Sequence, residues 1–284
     1  MIIDFHTHIF PDAMAEKTVT MLASRSGTIP STDATADGLI ASMKSAGAGI
    51  SVVLPVMTKP SQFESITRFA VEVNDRRGLI SFGGMHPDSD DADGQLDRIV
   101  EAGLPGIKLH PDYQGVFIDD ERYVRIIRSA VDRGLLVSIH AGLDAGVPYP
   151  VHCPPDRAAR MLDLVYDGTE PDKPSVILAH SGGNKMADEV IRCLAGRQVM
   201  FDLAYTLGRA PLEETEAVIR AHGAKRILFA TDSPWSDLSS DVRSLGELSL
   251  NEDEREDIAW RNAARLLGMD ESRIAQKAVC DIKI

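Results

Sequence analysis

Eight short apolar runs, most of them closing on an ionisable side chain, alternate with helix-length segments along this chain of 284 residues. The runs are residues 1–8 (M-I-I-D-F-H-T-H), Ile50 to Val56, Leu79 to Met85, Gly106 to His110, Leu135 to His140, Val176 to His180, Gln198 to Leu203 and Arg226 to Asp232. Between them, apolar residues recur at helical spacing. They do so from Asp37 to Gly47 or Gly49, from Phe63 to Arg77, Asp93 to Ala102 and Asp120 to Arg133. Further helices are expected over Pro155 to Tyr166, Lys185 to Ala195, Pro211 to His222 and Glu252 to Leu267, with Ser24 to Gly38 as a long polar loop. Strands that are apolar throughout, rather than alternating, belong to a parallel sheet covered on both faces. Eight such units in this length predict an α/β fold of the closed (β/α)8 TIM-barrel type, one domain over residues 1–284 with a short tail from about 269. A doubly wound open sheet is the alternative, but it carries a glycine-rich phosphate turn after its first strand, where this chain has H-T-H.

Composition narrows the possible partners. Lys and Arg number 30 against 43 Asp and Glu, a net charge of −13. That balance gives no electrostatic footprint for nucleic acid or an anionic membrane. Cys153, Cys193 and Cys280 show no C-x-x-C spacing, which suits a reducing cytoplasm. No apolar run reaches membrane-spanning length and no basic leader precedes the first strand, so a cytoplasmic protein acting on a small molecule is expected, with a homo-oligomer allowed.

The ionisable residues sort to one end of the expected barrel. Asp4, His6 and His8 alternate along the first strand and so share a face. His86 follows strand three, Lys108 and His110 close strand four, and His140, His180 and Asp232 close strands five, six and eight. Carboxyl ends of barrel strands converge on one mouth. Of the eight histidines only His152 and His222 fall elsewhere, and His222, closing a helix, reads as structural. Paired imidazoles on one strand are the donor type that a borderline divalent ion such as zinc takes.

The motifs D-F-H-T-H (Asp4 to His8), G-I-K-L-H-P (Gly106 to Pro111), S-I-H-A-G (Ser138 to Gly142), L-A-H-S-G-G (Leu178 to Gly183) and A-T-D-S-P-W (Ala230 to Trp235) together resemble the amidohydrolase superfamily. The similarity is to its amidohydrolase-related branch, which includes the aminocarboxymuconate-semialdehyde decarboxylase-like enzymes. The resemblance implies one divalent ion, zinc above others, held by His6, His8, His140 and Asp232. It implies Asp232 and His180 as catalytic residues, Asp232 taking a proton from water and His180 polarising substrate or acting as base. In other branches a strand-four lysine is carboxylated and bridges two metals, so Lys108 is either such a bridge or a cation for a substrate carboxylate. Asp4 is expected to orient a ligand or a neighbour, or to be paired for structure. His110 is expected to line the pocket, His86 either to line it or to cap its strand, and Tyr113, Gln114, Tyr205, Arg209 and Trp235 to reach the mouth from loops. The expected reaction is hydrolysis of a C–N or C–O bond through metal-activated water. The alternative is decarboxylation of an aromatic or dienoic acid, for which Lys108 and Arg209 are the candidate carboxylate clamps.

Overall fold

The computed structural model describes residues 1–270 apart from 75, 77 and 148. Cys280 and all but the first two residues of the expected tail lie outside the described residues, as does Arg77, the expected end of the second helix. In chain order the elements are β1 (Ile3–Thr7), α1 (Asp12–Ser26), α2 (Ala36–Ala46), β2 (Ile50–Val53), α3 (Phe63–Asn74), β3 (Leu79–Ser81), β4 (Gly83–Gly84) and α4 (Ala92–Glu101). There follow β5 (Gly106–Leu109), the one-turn α5 (Pro111–Gln114), α6 (Glu121–Asp132), β6 (Leu136–Ile139), α7 (Pro155–Val165), β7 (Val176–Leu178) and α8 (Ala187–Leu194). The chain continues with β8 (Met200–Asp202), α9 (Leu212–His222), β9 (Ile227–Leu228), α10 (Leu238–Glu247), α11 (Glu252–Glu256) and α12 (Asn262–Leu266). A π-helical turn, Asp257–Arg261, joins the last two helices.

The strands pair in parallel, in the orders β1-β2-β3 and β4-β5-β6-β7-β8-β9. The third expected strand is therefore observed as two pieces. At Phe82 the chain leaves one neighbour for the other: Phe82 N donates to Val53 O at 3.0 Å, and Gly83 then pairs with Ile107. Gly83 has no room for a side chain, because a Cβ there would stand 2.8 Å from Ile99 Cδ1. The ring closes between the ends of the chain. Phe5 N donates to Phe229 O at 3.0 Å, Asp232 N to His6 O at 2.9 Å, and Thr7 bridges Ser233. The barrel is the TIM type.

Side-chain alternation puts Phe5 and Phe201 outside the barrel, under helices, and Asp4, His6, Lys108 and Asp202 inside it. The helices bury one stripe each. In α6 the buried positions Tyr123, Ile126, Ile127 and Ala130 follow i, i+3, i+4, i+7, and Asp120 caps the start by accepting from Arg122 N at 3.0 Å. In α7 proline at the first position supplies a preset φ where no N–H is needed. Three helices are not among those expected: α1, which buries only Ala15 and Val19 and takes in the start of the expected loop, the one-turn α5, and α10. No helix among the described residues is long and apolar enough to cross a membrane.

Candidate active site

At the carboxyl ends of β1 and β9, His6 Nε2 lies 3.1 Å from His8 Nε2, and Asp232 Oδ1 lies 3.4 Å from the first and 3.1 Å from the second. The remaining nitrogens fix how the rings face. His8 Nδ1 stands 2.8 Å from the carbonyl of Leu54, which only accepts, so Nδ1 carries the proton. His6 Nδ1 is 2.9 Å from Asp202 Oδ2 and donates to that carboxylate. Burial and the charge of Lys108 hold the His6 imidazole pKa well below its ordinary value, so it is neutral. Both Nε2 atoms are thereby turned towards one carboxylate oxygen, and two imidazole nitrogens with a carboxylate are a donor set that a divalent cation takes, so the residues fit a metal ion. Burial alone would raise the Asp232 pKa, but the His8 hydrogen bond and the nearby imidazoles outweigh it and hold it below the usual carboxylate range.

His140, expected as the fourth ligand, stands in a different group. His180 lies between: its ring centroid is 5.3 Å from that of His6 and 4.7 Å from that of His140. His180 Nδ1 donates to Ala204 O at 2.9 Å, so its Nε2 is an acceptor, 3.0 Å from His140 Nδ1. His140 stacks on His110, with centroids 4.1 Å apart, and these two form a second potential metal group with Asp144. Lys108 is buried beside the first group, its Nζ 3.3 Å from His6 Nε2. Burial pushes its pKa down to about 8, against the pull of Asp202 and Asp232.

The other expected residues divide. Asp4 touches no imidazole ring; it accepts from Thr231 Oγ1 at 2.7 Å and Thr231 N at 3.0 Å, locking the segment that carries Asp232. Burial raises its pKa to about 8 despite those bonds. His86 Nδ1 accepts from Asp88 N at 3.1 Å and so caps the end of its strand. Gln114, expected at the mouth, is instead structural: its amide nitrogen donates to the carbonyls of Met57 and Met85, and its oxygen accepts from Tyr123 Oη. His152 is tied to Asp112 Oδ1 at 3.0 Å, and Cys153 is fully buried. Arg209 is exposed, lies over the Tyr205 ring at 4.2 Å and donates to the carbonyl of Trp235 at 2.6 Å. With His180, Ser181, Lys185 and Tyr205 it lines a cavity of about 300 Å³.

Sequence reasoning missed three carboxylates, Asp202, Asp112 and Asp144. Asp202 closes its strand as the chosen residues close theirs, so the same rule applied evenly would have found it. Asp112 reaches the rim from the one-turn α5 and Asp144 from a loop, neither of which a strand-end rule covers. The rim is also where non-glycine residues take positive φ, with His180 at 56°, Ser181 at 58°, Tyr205 at 56° and Asp232 at 68°. Such backbone costs energy and persists where surrounding contacts fix it, as at sites that aim side chains.

A family model described as amidohydrolase matches residues 3–269. No curated protein sequence matches the chain. Among solved structures, an uncharacterised TIM-barrel protein from Bordetella bronchiseptica is similar at TM-score 0.73 and 19% identity, over 94% of this chain and 98% of that one. A 5-carboxyvanillate decarboxylase from Novosphingobium aromaticivorans, solved with manganese, is similar at TM-score 0.69 and 13% identity over 95% and 97%. A 2,6-dihydroxybenzoate decarboxylase from Rhizobium is similar at TM-score 0.67 and 15% identity over 94% and 98%. Identities this low speak for the fold alone. The family match covers nearly the whole chain and agrees with the barrel and the divalent-metal donors at its mouth: the chain belongs to the amidohydrolase family and is a metal-dependent enzyme.

Proposed function

We propose that this enzyme decarboxylates a small aromatic or dienoic carboxylic acid, using a divalent ion at His6, His8 and Asp232. The observation that carries this reading is the cavity of about 300 Å³ beside His180, whose wall brings the cations Arg209 and Lys185 together with the Tyr205 ring. One aromatic ring with its substituents fits such a volume, and a guanidinium gives a carboxylate two parallel donors. An uncharged amide or ester has no need of that clamp. The decarboxylases of 5-carboxyvanillate and 2,6-dihydroxybenzoate named above support the same choice over hydrolysis.

A bound divalent ion supplies Lewis acidity, drawing charge from a substrate oxygen. The protein's own groups do the rest. His180 Nε2, an acceptor because Nδ1 donates to Ala204, is suited to take the proton of a substrate hydroxyl in place of the hydrogen bond it shares with His140 Nδ1. When the bond from ring carbon to carboxylate breaks, its electron pair stays on the carbon, carbon dioxide leaves, and the carbon takes a proton. Lys108, buried with its Nζ 3.3 Å from His6 Nε2, is a donor beside the first group that is placed to supply it. Zinc and manganese both suit two imidazoles and a carboxylate.

Asp232 favours a second reading, hydrolysis of a C–N or C–O bond, because a carboxylate held ionised can take a proton from water. The two separate in one assay. Metal-loaded protein is offered hydroxybenzoates and dienoic acids, and amides and lactones of the same acids. Release of carbon dioxide supports decarboxylation; release of amine or alcohol, with no carbon dioxide from any acid, rejects it.

A further inference from the structure

On the reading that the mouth takes a carboxylic acid, we infer that this acid carries a second carboxylate, held by Arg25 of α1 with Tyr113 beneath it, apart from Arg209. Two arginines at the mouth are placed alike. Arg209 lies over the Tyr205 ring and donates to the carbonyl of Trp235. Arg25 lies over the Tyr113 ring at 5.9 Å, with Nη2 3.4 Å from the carbonyl of Gly146. Tyr205 and Trp235 follow β8 and β9, whereas Tyr113 and Gly146 follow β5 and β6. The two arginines therefore stand three strands apart round one rim.

What sets this pair apart is a missing carboxylate. Arg98 over Phe63, Arg157 over Phe117 and Arg261 over Trp260 are each also ion-paired, to Glu64, Asp119 and Asp253. Arg25 and Arg209 have no such pair among the described residues, in a chain with 43 acidic residues against 30 basic ones. A guanidinium stacked on a ring keeps the edge of its fork free, and a carboxylate is the partner that edge fits. The contact of Arg25 with Gly146 is longer than an ordinary hydrogen bond, so an incoming anion displaces it at little cost.

Tyr113 ties Arg25 to the strand ends. Its ring meets His110 edge-on with centroids 4.4 Å apart, and His110 stacks on His140. The Tyr113 hydroxyl lies against Gly146, where a Cβ would stand 3.1 Å from it. Burial and Asp144 push its pKa up to about 12, so it stays a donor for an anion. A cation in the last turn also suits the α1 dipole, but that role needs neither a ring nor the rim. In the reaction one carboxylate leaves as carbon dioxide. The other, at Arg25, stays on the product, which is then a monoacid.

Calorimetric binding to the zinc-loaded full chain tests this, with benzoate against isophthalate and terephthalate, and sorbate against muconate. The better diacid of each set should bind about 10-fold more tightly than its monoacid. Arg25→Gln should erase most of that preference and Arg25→Lys should keep part of it, while Tyr113→Phe should weaken the diacids about 3-fold. Diacids bound no more tightly than monoacids by the parent overturn the inference. So does a preference that survives Arg25→Gln, or an equal weakening of both kinds of acid, which would make Arg25 a brace for the rim. A diacid preference that depends on Arg25, in an enzyme that releases no carbon dioxide from any acid, sustains the subsite and refutes decarboxylation, so the two fail separately.

Discussion

His222, outside the barrel, and His140, at its mouth, are both buried imidazoles stacked on another ring, and they are buried to opposite ends. His222 is 1% exposed and stacks on Phe201 with centroids 3.8 Å apart. Both of its nitrogens are used: Nδ1 accepts from Gly196 N at 3.2 Å and Nε2 donates to Val199 O at 2.8 Å. Burial drives its pKa down to about 4, so it is a neutral spacer, in keeping with the structural part expected of it. His140 has one nitrogen beside His180 and the other beside nothing but distant carboxylates. A histidine that serves packing is satisfied by its surroundings; one that serves chemistry is left with an atom to offer. The same contrast separates Gln114, all of whose bonds are closed, from His6 and His8, whose Nε2 atoms face each other.

The comparison predicts unequal responses to mutation. The largest is at the first metal group: Asp232→Asn should lower turnover by at least about 100-fold and release metal, measured by assay and elemental analysis, because it removes a ligand charge. Asp202→Asn should weaken metal binding about 10–100-fold by loosening His6, a change read by competition with a chromogenic chelator. At the packing end, His222→Phe should cost about 2 kcal/mol in denaturant unfolding, through two unmet backbone groups, with kcat of the metal-loaded enzyme unchanged. A fall in kcat there would break the distinction drawn above.

The pH dependence of stability follows from the same residue. Unfolded, His222 takes a proton near pH 6.5; folded, it does so only near pH 4. The unfolded state binds more protons in that window, so stability falls as pH drops from 6.5 towards 4, by about 3 kcal/mol from this group. His6, His110 and His140, also shifted down by burial, act in the same direction. Unfolding followed against pH should show a shallower acid slope in His222→Phe than in the parent. The smallest effect is expected at the exposed clamp, where Arg209→Gln should raise KM about 10-fold for an acidic substrate and leave kcat near its parent value.

The barrel was legible because its strands are apolar throughout and its helices carry stripes, two patterns that burial imposes directly on sequence. His6, His8 and Asp232 were legible because alternation and strand ends fix where a side chain emerges. The limits have physical reasons too. Helix α1 buries two side chains and so leaves no stripe to read. The break at Phe82 lies in which neighbouring strand each backbone group reaches, which no sequence pattern encodes. His140 sits at a strand end, as expected, yet which neighbours it meets depends on ring orientation, set by His180 and by the carboxylates of Asp112 and Asp144.

The seam between Asp4 and Thr231 joins residues 227 positions apart. It and the first metal group draw on the same two strands, the earliest and the latest in the chain. No partly synthesised polypeptide owns this centre, so loading with metal must follow completion of the ring. A fragment ending before Asp232 keeps two imidazoles but lacks the anion that completes the grip, and ion uptake therefore reports that the last strand has docked.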